Sequence, residues 1–400
     1  MRIAYITSRF PSSSETFIAR ELNHVAAFED IQVEVHSLFP ATETLVHPSA
    51  EPWIENVRRP TGHEGLRDLA WWLIRKPLTV AGLFGTVLSR CFRSPGYMAR
   101  SLVTLPIAAS IARRLGESKA DHVHAHYATY PALAAWACRR LTGVPYSFTV
   151  HAHDVYVTQA MLAQKVRDAA FIDAISEYNR EFLRDYGGDS ETPVHVIHCG
   201  IELERYDYRP RRAPASGPIE ALCVASLQEH KGQRVLLEAI AAEDDPLARI
   251  RLTLVGAGPE RPALEAQAEA LGITERVEFA GSQPEDEVRR RLSEAHLFVL
   301  PSLVARDGQM EGLPVALMES LACGIPTVAS NLSGIPEIVR DGETGYLAEP
   351  GDAASLRGAL ERSVSDGVDA ASARLLVEDE FNVSSSASAL RRLFLESVRT

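Results

Sequence analysis

Two glutamates, Glu311 and Glu319, stand eight positions apart on either side of a Gly-Leu-Pro turn. Proline fixes φ near the helical value and lacks an N–H, so Pro314 is predicted to open a helix of about ten residues that Gly324 ends. Helical side chains tilt toward the N-terminus, which brings Glu319 toward the loop that carries Glu311. Each carboxylate could accept two hydroxyl hydrogen bonds, as the vicinal diol of a ribose or a sugar requires. The alternative is a solvated Glu311 and an exposed Glu319 that pairs with a helix neighbour.

The start of this predicted helix has no polar cap. Leu313 would occupy the N-cap position, and because its side chain has no oxygen, the amides of Val315 and Ala316 must bond water or a ligand. Gly312 precedes Leu313, and the positive end of the helix dipole lies at this N-terminus. Such a helix start suits a phosphate group.

A lysine follows the strand predicted over 219–224. Lys231 and Gly232 lie in the next turn, and a lysine at such a turn is a good point-charge partner for a diphosphate. The Gly-Ala-Gly at 256–258 lacks the third glycine of a dinucleotide fingerprint, since Arg261 stands there, so no NAD site is expected.

Three histidines alternate in the first half of the chain. His122, His124 and His126 would all point to one face of a strand. No carboxylate or cysteine nearby in the sequence completes an obvious zinc set, so pocket-lining or packed histidines are preferred over a metal site.

A second group of polar residues follows the strand predicted over 145–150. His151 and His153 lie at its carboxyl end, where an imidazole can hydrogen bond a sugar hydroxyl or a phosphate, and Asp154 can fix the imidazole tautomer. A histidine that only stabilises the loop is the alternative.

Composition sets the broad class of protein. With 400 residues, of which 46% are hydrophobic, the chain can form two domains with real cores. The net charge of −12 argues against nucleic acid as the main partner. Five widely spaced cysteines without a C-x-x-C fit unpaired thiols in a reducing cytoplasm. No signal-peptide or membrane-spanning pattern is present, so we expect a cytoplasmic protein, either free or peripheral at the inner face of the cell membrane.

One segment departs from this acidic composition. Between Gly62 and Gly116, eight lysines and arginines stand against only Glu64 and Asp68, and aromatic residues lie among them. The segment 67–114 could therefore contact an anionic membrane surface. Ordinary core helices with a solvated basic face are an equal alternative.

Strand and helix patterns alternate along the whole chain, which indicates an α/β fold with parallel sheets. The polar segment 207–218, which is rich in proline and arginine, is predicted to link an N-terminal domain over 1–206 to a C-terminal domain over 219–379.

Beyond these patterns, the sequence resembles a known family. The run E-G-L-P-V-A-L-M-E at 311–319, followed by A-C-G-I-P-T-V-A-S and G-I-P-E-I-V, is similar to the E-x7-E region of retaining glycosyltransferases of family 4 (GT4), which have the GT-B fold. The blocks at 8–18, 124–131 and 147–154 resemble the bacterial exopolysaccharide branch with the colanic-acid-type transferases. One departure is Ser226, which stands where the family usually has a diphosphate-binding arginine.

The resemblance implies two Rossmann-like parallel α/β domains facing a central cleft, with a C-terminal helix at about 380–400 packed back on the first domain. It implies retaining, metal-independent transfer of a hexose from a nucleoside-diphosphate sugar to a saccharide hydroxyl in exopolysaccharide or cell-surface glycan synthesis. We predict a lipid-linked acceptor, and no cofactor or metal.

Residue roles follow from the same resemblance. Glu311, His151 and Lys231 are the predicted catalytic residues: the glutamate orients the donor sugar, the histidine touches sugar or acceptor near the reacting centre, and the lysine stabilises the leaving diphosphate. Glu319 would hold the ribose hydroxyls. The donor site would comprise Ser226, Lys231, Gly232, Glu311, Gly312, Leu313, Pro314, Val315 and Glu319, and the acceptor side Ser14, Glu15, Thr16, His126, His153 and Asp154.

Two other functions are compatible with the sequence. A nucleotide-sugar epimerase on the same fold would act without an acceptor, through a carboxylate base. The second alternative is a non-catalytic glycan-binding partner in a polysaccharide assembly complex. The serine at position 226, where an arginine is expected, suggests it.

Overall fold

The computed structural model describes residues 1–12, 15–41, 47–186, 190–241 and 246–399. The chain divides into two compact units, of which the first is Met1–His198 with Val383–Thr400 and the second is Cys199–Asn382. The division therefore falls eight residues before the predicted boundary at 206.

The segment 207–218, predicted as a linker, belongs to the second unit. The amides of Arg209 and Arg211 donate hydrogen bonds to the carbonyls of Cys323 and Gly324. These main-chain bonds hold the segment on the second unit. Its polar composition predicted only a linker that precedes this unit.

The first unit is built on a seven-stranded sheet in the part of the chain that is described. The strand order is β3-β2-β1-β4-β5-β6-β7, and all pairings are parallel. Its elements in chain order are β1 (Arg2–Arg9), α1 (Thr16–Ala26), β2 (Gln32–Phe39), β3 (Val57–Arg58), α2 (Gly62–Arg75), α3 (Pro77–Cys91), α4 (Pro95–Ser118), β4 (His122–His126), α5 (Tyr130–Thr142), β5 (Tyr146–Val150), α6 (His153–Tyr156), α7 (Leu162–Asp168), β6 (Phe171–Ala174), α8 (Glu177–Tyr186) and β7 (Val194–Val196).

The second unit contains a six-stranded parallel sheet in the described residues, in the order β10-β9-β8-β11-β12-β13. Its elements are β8 (Ile219–Val224), α9 (Gln233–Ile240), β9 (Ile250–Val255), α10 (Arg261–Ala270), β10 (Val277–Gly281), α11 (Glu285–Glu294), β11 (Leu297–Leu300), α12 (Val315–Ala322), β12 (Thr327–Ser330), α13 (Ile335–Ile338), β13 (Tyr346–Ala348), α14 (Ala353–Ser365) and α15 (Ala370–Glu380).

The last helix, α16 (Val383–Arg399), belongs to the first unit. The ring of Phe394 packs against Tyr5 of β1 and His122 of β4, and Ser397 lies 2.9 Å from Nδ1 of the same histidine. The helix thus covers one face of the first sheet, while α4 and α5 contribute to the apolar core on its other face.

Both sheets have a point where the strand order reverses. In the first unit this point lies between β1 and β4, and in the second unit between β8 and β11. In open parallel sheets, ligands bind beyond the carboxyl ends of the strands at such a point. The loops after these four strands, and after the adjacent β5, are therefore the places to look for a site.

Candidate functional site

Helix α12 begins one residue later than predicted. Pro314 is its N-cap, with φ −69° and ψ 116°, and the eight helical residues run from Val315 to Ala322. The prediction that Pro314 is the first helical residue and Leu313 the N-cap is therefore wrong: the proline ring fixes φ but leaves ψ extended. The helix start still has no side-chain cap, and the amides of Val315 and Ala316 make no hydrogen bond within the described residues. It can therefore still receive an anion.

Lys231 and Glu311 form an ion pair between the loops that follow β8 and β11. These two strands are neighbours at the reversal point of the second sheet. Glu311 is buried and Lys231 is partly exposed. The structure thus brings together two of the three predicted catalytic residues, next to the open start of α12.

Ser333 fixes the loop that carries Glu311. Its hydroxyl donates to the carbonyls of Glu311 and Gly312, at 2.6 and 3.2 Å. Ser333 itself has a positive φ of 49°, which is uncommon for a residue other than glycine. Sequence reasoning missed this serine, because no local pattern shows that the loop after β12 reaches the loop before α12.

Glu319 has a different partner. The hydroxyl of Tyr206 donates to its Oε1 at 2.6 Å, across 113 positions of sequence. Arg374 donates to the main-chain carbonyls of Tyr206 and Ala322, at 3.2 and 2.9 Å, and so joins this segment to the end of α12. The structure therefore ties Glu319 to a tyrosine that sequence reasoning missed. Its predicted role at the ribose stays a prediction.

Glycines let the loops of the second unit approach one another closely. Gly232 has φ 69°, and a Cβ there would lie 1.9 Å from the carbonyl oxygen of Pro301. A Cβ at Gly258 would lie 2.1 Å from the carbonyl oxygen of Leu227. The glycines at 256–258 thus serve loop packing, which explains a glycine pattern without a complete dinucleotide fingerprint.

Ser226 stands at the position where a diphosphate-binding arginine was expected. Its main-chain carbonyl accepts a hydrogen bond of 3.0 Å from the Gln233 side chain, and the serine side chain brings no positive charge.

His151 lies at the carboxyl end of β5 in the first unit, where its Nε2 is 3.2 Å from Nδ1 of His126. The rings of Phe17 and Tyr127 pack against it, with centroids 4.8 and 4.6 Å away. Burial, followed by the neighbouring His126, lowers the pKa of His151 well below its usual value. The imidazole is therefore neutral at physiological pH.

Asp154 does not act on an imidazole. Its carboxylate accepts from the amides of Ala128 at 2.8 Å, His151 at 3.1 Å and Ala152 at 2.7 Å. The prediction that Asp154 fixes a histidine tautomer is therefore wrong, because its oxygens hold the main chain of two loops. His153 is exposed, and its ring packs 5.2 Å from that of Tyr127.

A buried lysine holds the turn after β4. The ammonium of Lys165 donates to the carbonyls of Ala128 and Ala160 and to the hydroxyl of Tyr97. Tyr127, just before Ala128, has φ 81°, so this turn needs support from outside. Burial lowers the pKa of Lys165 to about 7. Lys165 and Asp154 together fix the turn that carries Tyr127 against His151.

The three histidines of β4 are fully buried, and His122 and His124 hydrogen bond with hydroxyl groups. His124 lies 2.8 Å from Ser147 Oγ through Nδ1 and 3.0 Å from Thr149 Oγ1 through Nε2. A carboxylate that the sequence did not reveal, Glu21 of α1, lies close enough to form a possible metal-binding group with His124 and His126. The group fits a cation poorly, because His124 cannot offer a nitrogen without breaking one of these bonds.

The other predicted acceptor-side residues lie at the start of α1. Glu15 is its N-cap, without a side-chain cap bond, and Thr16 is its first residue. Ser14 lies outside the described residues.

The basic segment 67–114 forms parts of α2, α3 and α4. Buried Asp68 accepts hydrogen bonds from Arg67 and Arg113, at 3.0 and 2.7 Å. These helices also expose large apolar side chains, of which Leu78 is 88% and Ile74 80% exposed, and Leu66, Leu73, Leu88 and Val103 are the others. Phe92, directly after α3, is exposed as well. Within the described residues, no helix combines the length and the apolar character that are needed to cross a bilayer.

Comparison with known proteins defines the class. A model of glycosyl transferases group 1 matches residues 204–376, and a model of glycosyltransferase family 4 matches residues 83–205. The chain is 30% identical to the amylovoran biosynthesis glycosyltransferase AmsK of Erwinia amylovora over 399 residues, which covers 96% of each chain. It is also 30% identical over 377 residues to a protein of Escherichia coli K12 named for colanic acid biosynthesis, the glycosyltransferase WcaL, with 89% of each covered.

Solved structures show the same fold. HepE of Anabaena, in complex with UDP, superimposes with a TM-score of 0.71 at 18% identity, over 99% of this chain and all of that one. The fold is GT-B, with two Rossmann-like parallel α/β domains. The chain belongs to glycosyltransferase family 4.

Proposed function

We propose that this protein is a retaining, metal-independent hexosyltransferase. It moves a hexose from a nucleoside-diphosphate sugar to a hydroxyl of a growing, lipid-linked saccharide in exopolysaccharide or cell-surface glycan synthesis. The observation that carries the proposal is the Lys231–Glu311 ion pair beside the uncapped start of α12. AmsK and WcaL, named for amylovoran and colanic acid biosynthesis, support the saccharide acceptor.

The second unit would bind the donor. Lys231 turns from Glu311 to the diphosphate, and the amides of Val315 and Ala316 bond the same phosphates, so that charge on the leaving group is stabilised without a metal. Glu311, no longer paired, accepts hydrogen bonds from hydroxyls of the sugar and orients its anomeric carbon. The HepE structures contain UDP and UDP-glucose, so uridine donors are the first to test.

The transfer needs no protein nucleophile. In a front-face reaction the bond from the anomeric carbon to the phosphate oxygen breaks, and the acceptor oxygen attacks from the same side. The departing phosphate oxygen takes the acceptor proton. Neutral His151 would contact a hydroxyl of the sugar or the acceptor near the reacting centre.

The exposed apolar residues of α2 and α3 suit the acceptor side of this function. Ile74 and Leu78 lie at the junction of the two helices, and Arg67, Arg75 and Arg90 supply positive charge in the same segment. We propose that this surface within 67–114 rests on an anionic membrane that carries the acceptor.

The direct test is a panel of uridine, guanosine and adenosine diphosphate hexoses, measured by thermal shift and by slow donor hydrolysis. The wild type should be stabilised by one nucleotide class and hydrolyse that donor, and Glu311→Gln should lose hydrolysis. Glu275→Gln, which changes an exposed glutamate of the same unit, should behave as the wild type. No response to any donor would contradict the proposal, and a changed sugar without an acceptor would indicate an epimerase.

A further inference from the structure

Three side chains of the first unit, from α1, β4 and the loop after β5, form a row that ends at His151. Glu21 of α1 places Oε1 3.3 Å from Nε2 of His126 in β4. Nδ1 of His126 lies 3.2 Å from Nε2 of His151 after β5. Both histidines are buried, and Glu21 is largely so. The carboxylate therefore reaches the imidazole of His151 through one intervening ring.

The surroundings hold Glu21 as a hydrogen-bond acceptor. The hydroxyl of Tyr5 donates to the same Oε1 at 3.0 Å, and burial raises the pKa of this tyrosine well above its usual value, so it remains a donor. The ring of Tyr5 also stacks on His126, with centroids 5.8 Å apart. Nε2 of His126 makes no hydrogen bond within the described residues, so its approach to Glu21 at 3.3 Å is a close electrostatic contact that lacks hydrogen-bond geometry. Catalytic contacts are often loose before a substrate binds.

The order of groups fixes where the protons sit. A carboxylate beside Nε2 favours the His126 tautomer that carries its proton on Nε2. In that tautomer Nδ1 of His126 is a lone pair, so the hydrogen bond to His151 must be donated by Nε2–H of His151. Because His151 is neutral, its own Nδ1 is then a lone pair as well. This nitrogen makes no hydrogen bond within the described residues.

Other groups near His151 do not set its tautomer. Phe17 and Tyr127 contact it through their ring faces and edges. The carboxylate of Asp154 is taken up by main-chain amides. His153 is exposed, and no hydrogen bond joins it to His151 within the described residues.

We propose that Glu21 is a positioning residue that acts through His126 to hold His151 with Nδ1 as a hydrogen-bond acceptor. The proposal deepens the proposed function and rests on it, since it assumes that His151 meets the reacting saccharide. A bare Nδ1 accepts the hydrogen of a sugar hydroxyl and repels a phosphate oxygen, which carries no hydrogen. The row therefore assigns His151 to a hydroxyl of the hexose or of the acceptor, and leaves the diphosphate to the second unit.

The chain offers a matched control. Glu34 lies 3.4 Å from Nε2 of buried His36, and its side chain is 15% exposed, as is that of Glu21. Neither Glu34 nor His36 contacts His151 in the described structure. Glu34→Ala thus removes a similar carboxylate from a similar histidine without touching the row.

The experiment measures the tautomer directly, by long-range proton–nitrogen correlation on protein labelled with ¹⁵N-histidine. His151→Gln identifies the signals of His151. We expect the wild type and Glu34→Ala to show a bare Nδ1 and a protonated Nε2 at His151. In Glu21→Ala, and also in His126→Phe, the two nitrogens of His151 should shift toward a mixture of tautomers. A His151 that carries its proton on Nδ1 in the wild type, or that ignores the loss of Glu21, would overturn the proposal.

Turnover gives the second readout. Glu21→Ala should lower kcat on the order of tenfold, because a mixture of His151 tautomers orients the sugar or acceptor hydroxyl less well. The KM for the donor should change less than about twofold, because the second unit holds the nucleotide. Equal kcat in Glu21→Ala and Glu34→Ala would contradict the role. A wild type that binds no sugar nucleotide would refute the proposed function instead, and the tautomer measurement would still decide whether the row exists.

Discussion

Lys231 and Glu311 neutralise each other across the reversal point of the second sheet, between loops that follow neighbouring strands. A diphosphate offers Lys231 more negative charge than one carboxylate does, so a donor can replace Glu311 as its partner. The exchange would release Glu311 at the moment when the sugar arrives beside it. In the proposed function, the ion pair thus holds the Lys231 ammonium and the Glu311 carboxylate in position before the donor binds.

Replacing Lys231 by methionine should weaken binding of the donor. A hydrogen bond to a charged group contributes about 1.5–3 kcal/mol, so the affinity should fall roughly tenfold to a hundredfold, because 1.4 kcal/mol is one decade. Calorimetric titration of the nucleotide measures this. Arg362→Met, which removes a cation paired with Asp341 on the surface of the same unit, should leave the affinity unchanged. Equal affinities for Lys231→Met and wild type would place the diphosphate elsewhere.

The membrane proposal makes a separate prediction. Ile74→Asp with Leu78→Asp puts two carboxylates where the structure exposes 80% and 88% of apolar side chains, so the fold should be unaffected. Binding to anionic liposomes should fall at least about tenfold, because apolar burial and charge attraction are both lost. Cosedimentation at low and high salt measures it.

The control for this prediction is Leu375→Asp, which changes a 55% exposed leucine of the second unit. It should bind liposomes as the wild type does. The membrane proposal would be contradicted if the double variant bound anionic liposomes as well as the wild type does. It would also be contradicted if the wild type did not bind anionic liposomes at low salt.

Lys165 should make the stability of the first unit depend on pH. Burial lowers the pKa of Lys165 to about 7 in the folded protein, from the ordinary value of 10.5. Between these values the unfolded chain binds more protons than the folded one, so the free energy of unfolding rises with pH, and the cost of the buried charge is fully present below pH 7. From pH 7 to pH 9 the rise is about 2 kcal/mol.

Tryptophan fluorescence can measure this in the correct unit, because all four tryptophans lie at 53, 71, 72 and 136. Urea unfolding of Lys165→Met should lack the rise, whereas Lys76→Met, which changes an exposed lysine, should keep it. The same slope in wild type and Lys165→Met would show that the buried ammonium is not the cause.

Removal of divalent ions should not affect turnover. In the proposed function, Lys231 and the start of α12 would provide the positive charge that a metal would otherwise bring to the diphosphate. Dialysis against EDTA should change kcat by less than about twofold, and added magnesium or manganese should not raise it. A large loss that one of these ions restores would call for a new search for ligands, starting with Glu21, His124 and His126.

The fold could be predicted from the sequence because its signals are local. Buried strands such as 145–150 and the helices between them follow from apolar runs and their spacing. The E-x7-E region likewise placed Glu311 in a loop and Glu319 in a helix. The error at Pro314 is one residue and has a clear reason: proline determines φ, whereas the helix start depends on ψ as well.

The partners of the site residues could not be predicted in the same way. Glu21 and His126, or Tyr206 and Glu319, are far apart in sequence, and only the packing of elements brings them together. Asp154 shows the opposite error, since an aspartate next to histidines was assigned to an imidazole while three main-chain amides bind it. Types of residue indicate possible chemistry, and tertiary structure decides which partner each one takes.

The central claim is retaining transfer of a hexose from a nucleoside-diphosphate donor, and the anomeric form of the released sugar tests it most directly. Proton NMR would follow slow hydrolysis of the α-linked donor that the nucleotide panel selects, early enough to precede mutarotation. The account predicts that the free hexose appears first as the α-anomer, together with the nucleoside diphosphate, and that Glu311→Gln releases neither. A β-anomer as first product would contradict retention, and no release from any donor would contradict the claim as a whole.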